Sequence, residues 1–158
     1  MDHVSQFAGS KVDATDFSLP SVVTAFGNGT NTITSTTFAN LPTTSCIAAI
    51  VNSHPTANLL VLVTFGAWLS ASANAVRICP AVSGAVTISA GIGGGGPIGW
   101  GEIPLTGSSP TEHHAASATY ELPPGTSTFT MQSMRDSAAG TQKADYNTIR
   151  IAPLRYIL

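Results

Sequence analysis

ANLLVLVTFGAWLS, Ala57 to Ser70, is the longest apolar run of the chain and the stretch on which its fold turns. Laid out as a β-strand, it sends Leu59, Val61, Val63, Phe65, Ala67 and Leu69 to one side. Leu60, Leu62, Thr64, Gly66, Trp68 and Ser70 go to the other. A strand covered on one face alternates apolar with polar residues. This one is apolar on both faces, so both need cover. The core of a small all-β domain supplies one; the expectation for the other is a second copy of the same chain. The run is too short, and too interrupted by Thr64 and Gly66, to cross a bilayer as a helix.

Around it, short extended runs alternate with turn clusters from Ser21 onward. Strands are expected at about Val22–Phe26, Thr32–Phe38, Cys46–Val51, Leu59–Ser70, Val76–Cys79, Ala85–Ile92, Ile98–Ile103, Ala115–Leu122, Thr126–Arg135 and Asn147–Leu158. GNGTN (Gly27–Asn31) and NSHPTAN (Asn52–Asn58) are dense in residues that accept turn dihedrals. LPPG (Leu122–Gly125) ends one strand and launches the next, because proline cannot donate to a central ladder. Gly125–Arg135 alternates cleanly, with Phe129, Met131 and Ser133 opposed to Thr128, Thr130, Gln132 and Met134, as a strand with one buried face does. The apolar run Ile149–Leu158 is expected to be tied into a sheet or an interface. No window holds a helical period. The expected class is all-β, an antiparallel sandwich or barrel over residues 21–158.

Composition narrows the function. The 158 residues suffice for one domain with a core that needs no disulfide support. Only 9% are charged, against about 25% in an average soluble protein, and Ser with Thr make up roughly a quarter. A free monomer normally stays soluble through charge. A surface so poor in it suits a component of a larger particle, covered by neighbours. The formal charge of −2 gives no case for nucleic acid or an anionic membrane as partner. Cys46 and Cys79 each lie in an apolar run and read as buried free thiols rather than a disulfide framework. Met1 is followed at once by Asp2 and His3, without a basic region or an apolar leader, so synthesis in a cytoplasm without export is expected.

Residues 1–20, MDHVSQFAGSKVDATDFSLP, differ from the rest. They are acidic, carry scattered apolar anchors at Phe7, Val12, Phe17 and Leu19, and are closed by Pro20. The segment reads as an arm that either lies on its own domain or docks on a partner.

The candidates for chemistry are thin. In GIGGGGPIG (Gly91–Gly99) the glycines are followed by Pro97 and Ile98, not by the Lys and Ser or Thr of a phosphate-binding loop, and the stretch reads as a tip between strands. In EHH (Glu112–His114) neighbouring side chains on an extended backbone point apart, so a solvated loop is expected over a metal site. No Gly-x-Ser-x-Gly elbow occurs, and nothing pairs two of the scattered carboxylates. The expectation is no catalysis, no metal and no cofactor. Trp68 belongs to the doubly apolar strand and is expected in a core or an interface. Trp100, after the glycine-rich tip, is the one candidate for a ligand contact, since sugar faces stack on exposed rings.

Three segments carry a family resemblance: FAGSKVDATDF (Phe7–Phe17), TFANLP (Thr37–Pro42), and ELPPGTSTFTMQ (Glu121–Gln132) together with the terminal apolar strand. The chain resembles the small trimeric β-sandwich proteins carried by tailed bacteriophages of actinobacteria, among them capsid decoration, head-fibre and minor tail proteins. The resemblance implies a jelly roll akin to tumour necrosis factor-like homotrimers. It also implies an N-terminal arm that fixes the trimer to the particle, on the major capsid protein or on tail proteins. In such trimers one sheet packs its inner face on the core and its outer face around the threefold axis, which would place Leu60, Leu62 and Trp68 at the subunit interface. The implied function is a non-enzymatic structural protein on the virion surface that decorates or stabilises the capsid. The alternative is a minor tail, receptor-binding module that recognises a host glycan through the Gly91–Gly101 loop.

Overall fold

The computed structural model describes residues 18–43, 45–72, 75–91, 103–105 and 109–157. These form nine strands and no helix: β1 (Val23–Ile33), β2 (Ala39–Asn40), β3 (Ile47–Asn52), β4 (Asn58–Ala71), β5 (Val76–Gly84), β6 (Ile103–Leu105), β7 (Ser109–Leu122), β8 (Gly125–Arg135) and β9 (Gln142–Ile157). The protein is an all-β sandwich of two antiparallel sheets. The first runs β1-β9-β4-β7; in the second, order β2-β8-β5-β6, strand β3 also pairs with β8. The pairings are nested. β1 meets β9, β2 and β3 meet β8, β4 meets β7, and β5 meets β6.

The stretch Ala57–Ser70 becomes β4, held on one side by β7 and on the other by β9 along almost its whole length. Its odd-numbered residues, Leu59, Val61, Val63, Phe65, Ala67 and Leu69, are fully buried. They meet Ile50, Ile78, Phe129 and Met131 of the second sheet in one continuous core. At the entry to β4, the Asn52 side chain donates to the carbonyls of Ala57 and Leu122, while His54 Nδ1 accepts the N–H groups of Thr56 and Ala57. The turn that sequence composition marks at Asn52–Asn58 is therefore tied by its own side chains. The apolar terminal run becomes β9, a central strand between β1 and β4, as its hydrophobicity requires.

Several boundaries differ from expectation. GNGTN is not a turn: β1 runs through it, paired to β9 on both sides of a bulge between Gly27 and Thr30. A bulge absorbs residues of low strand propensity while the ladder continues. The expected strand Thr32–Phe38 therefore ends at Ile33. The expected strand Ala85–Ile92 contributes one bridge, Ile88 with Val82. Strand β7 begins at Ser109, so Glu112–His114 is not a solvated loop but edge strand, because pairing with β4 overrides weak local propensity. Of the expected arm anchors, Phe7, Val12 and Phe17 lie outside the described residues, as does Trp100. Leu19 is described and is 39% exposed.

Two features yield expected results. Gly84 closes β5 at φ +102°, and a Cβ there would stand against the carbonyl oxygen of Thr126. Gly84→Ala is expected to cost about 1–3 kcal/mol, read as a lower urea midpoint with unchanged m-value. Cys46 and Cys79 are both buried and unpaired with each other. Burial pushes the Cys46 thiol up to about 11, against backbone hydrogen bonds at Ile149 and Gly27 that pull it down. Unfolding restores the ordinary value near 9.0, so the folded state loses stability as pH climbs from there towards 11. Both thiols are expected to resist Ellman's reagent at pH 8 in the native protein and to react in urea.

Candidate functional site

The even-numbered residues of β4 define the outer face of the first sheet. Leu60 stands opposite Arg155 of β9 and Glu121 of β7, Leu62 opposite Ala152 and Thr119, and Thr64 opposite Arg150 and Ser117. Gly66 lies between Thr148 and Ala115, and Trp68 between Asp145 and His113. Charge stands at both ends, Arg155 and Glu121 beside Leu60 and Asp145 and Lys143 beside Trp68 and Ser70, and exposed Arg150 of the central strand β9 stands between them, opposite Thr64. Around Leu62 the face is Ala and Thr, and around Gly66 it is Thr and Ala. Within a single chain Leu60 and Leu62 are half-buried by their strand neighbours alone, and Trp68 is 42% exposed.

The structure thus places all three residues expected at a subunit interface on one surface. It adds two that the sequence reading missed. Phe26 of β1, opposite Thr148, is 66% exposed, and Tyr146 of β9 is 59% exposed. Tyr146 owes its position to a second bulge. Gly66 pairs with Thr148 and Trp68 with Asp145, so Tyr146 and Asn147 together face Ala67. Asn147 turns inward and is fully buried, and Tyr146 turns out with φ 48°, a backbone region that costs a non-glycine residue about 1–3 kcal/mol. The bulge is held from below, where the side chains of Asn31 and Asn147 both donate to the carbonyl of Ala144. Exposed aromatics thus stand on β1, β9 and β4 of one sheet face. A bulge leaves no period in the sequence, which is why Tyr146 could not be assigned to this face from its neighbours.

At the β7 edge the rings of Trp68 and His113 meet edge-on, centroids 5.4 Å apart. Two residues before Trp68, Gly66 lets the β7 backbone lie close to β4, since a Cβ there would lie 2.7 Å from the carbonyl oxygen of His114. On the opposite side of β7, His114 Nε2 is 3.3 Å from a Glu112 carboxylate oxygen, without the alignment of a hydrogen bond. Among the described residues no group of three or more His, Cys, Asp or Glu is placed to hold a metal ion. The chemistry available on this face is apolar burial with a polar rim, that of an interface core. Set against known proteins, the sequence matches no family model and no curated protein.

Proposed function

We propose that the protein is a non-enzymatic structural component of a bacteriophage virion, a homotrimer on the particle surface that decorates or stabilises the capsid. Residues 1–20 anchor it to the major capsid protein. The observation that carries this reading is the outer face of the first sheet, where in one chain Trp68, Phe26 and Tyr146 are exposed and Leu60 and Leu62 are only half-buried. Contiguous apolar surface of that kind marks an interaction site, and a second copy of the same face supplies matching chemistry. The nested strand pairing supports a jelly roll, because a long two-stranded ribbon rolled on itself gives that order. The resemblance of Phe7–Phe17, Thr37–Pro42 and Glu121–Gln132 to phage minor tail and head-associated proteins supports the virion assignment.

The test is positional. Gold-labelled antibody on intact particles is expected to mark heads at many sites per particle; label confined to tails overturns the capsid assignment. Removal of residues 1–20 is expected to leave a folded sandwich that no longer binds heads lacking the protein. Undiminished binding of that truncation removes the anchor role.

A further inference from the structure

The second sheet carries a separate feature on its outer side. A groove of about 580 Å³ opens between Thr36–Phe38, which lead into β2, and the strap 87–90 that follows β5. Its floor is Ala81 and Val82 of β5 with Gln132 and Met134 of β8. That volume lies within the range of small-molecule sites.

Both walls are fixed in advance. Ile88 and Val82 exchange two backbone hydrogen bonds, of 2.8 and 2.9 Å, which clamp the strap to β5. On the other side Ser35 Oγ accepts the N–H of Thr37 and donates to its carbonyl, and Arg135 donates its backbone N–H to the Ser35 carbonyl. A groove built this way loses little entropy when it is filled.

Its chemistry selects the occupant. Thr36, Thr37, Thr87 and Ser89 bring hydroxyl-bearing side chains to its lining, and Phe38, Ile88 and Met134 bring apolar ones. Gln132 donates its amide to Asn40 Oδ1 at 3.0 Å, which fixes the side chain and leaves its carbonyl oxygen as an acceptor. Among the described residues no ionisable side chain lines the groove. Arg77, opposite Met134 on the same sheet, is joined to Asp136 by two hydrogen bonds of 2.6 and 2.8 Å, so its charge is already matched. An ion would find no counter-charge here, and a wholly apolar ligand would strip water from the hydroxyls without replacing its bonds. An uncharged polyol with an apolar ring face satisfies both halves of the lining.

We propose that the groove between Thr36–Phe38 and Thr87–Ala90 is a binding site for a short, uncharged saccharide. The site is independent of the self-association proposed above and lies on the other sheet.

The test uses the full chain and titration calorimetry with lactose, maltotriose, mannobiose and diacetylchitobiose as neutral probes. 3′-Sialyllactose serves as the charged partner of lactose, and N-phenyl-1-naphthylamine as an apolar control. At least one neutral sugar is expected to bind saturably. Thr87→Val and Ser89→Ala should each weaken it about fivefold, the value of one hydrogen bond, and Ala81→Trp should abolish it by filling the floor. Light scattering on the same samples is expected to give one unchanged oligomeric mass. Failure of every neutral probe to saturate overturns the proposal, as does binding that survives both Thr87→Val and Ala81→Trp. Preferred uptake of the sialylated or the apolar probe overturns it too. None of these results touches the oligomer reading, which stands or falls on the mass.

Discussion

Leu62→Asp is expected to convert the protein from a species of about 48 kDa, three times the 16.1 kDa chain, into a folded monomer. Leu62 is central on the outer face of the first sheet, flanked by Ala152 and Thr119, with no charged neighbour in its own row. In a monomer the new carboxylate stays in water and costs the fold little. In a trimer three carboxylates leave water together on an apolar seam, and each desolvated charge without a partner costs several kcal/mol. The lost apolar contact adds about 1.5–3 kcal/mol per leucine. These terms act only on the assembly, so light scattering should report the change in mass while near-ultraviolet circular dichroism stays that of the wild type. Ser83→Asp, exposed on β5 of the second sheet, is the control and should leave the mass unchanged. A Leu62→Asp protein that still runs as a trimer overturns the assignment of this face.

The pattern of β4 was legible in the sequence because its period is two over the whole strand. The inner set is buried in the structure and the outer set, Gly66 apart, is half-buried or exposed, as the alternation demands. The alternation of β8 was equally plain, with Phe129 and Met131 inside. What escaped was register where the period breaks. GNGTN has the composition of a turn, yet the ladder to β9 resumes at Thr30, so local chemistry gave the wrong element. Tyr146 and Phe26 escaped for the same reason, since their place on the outer face depends on bulges and on which strand lies beside them. The groove on the second sheet was beyond reach altogether. Thr36–Phe38 and Thr87–Ala90 are far apart in sequence, and each reads there as part of a strand, Thr32–Phe38 and Ala85–Ile92, rather than as the wall of a groove. Self-association could therefore be argued from one strand, whereas a small-ligand site needed the fold.

Phe129→Ala is the second large effect, and it separates the fold from the face. Phe129 is fully buried on β8, paired with Ala48 of β3 and Val82 of β5. Its ring meets the edge of Tyr120 of β7, centroids 5.2 Å apart at 86°, so it joins one sheet to the other. Truncation to alanine removes that contact and leaves a cavity between layers that cannot close, at a cost of about 3–5 kcal/mol. A domain of ordinary stability holds about 5–15 kcal/mol, so much of it is gone. Phe129→Leu keeps most of the volume and should cost far less. Urea unfolding checks both, with a fall in midpoint for alanine several times that for leucine. A midpoint for Phe129→Ala within error of the wild type would mean that the two sheets are not held together at this point. If the proposed trimer forms, its assembly is linked to folding, and the alanine variant should also make the midpoint depend more steeply on protein concentration. Leu62→Asp should remove that dependence, since a variant that is always monomeric has no assembly to lose. The paired measurement thus assigns the inner side of the sandwich to stability and the outer side of the first sheet to assembly.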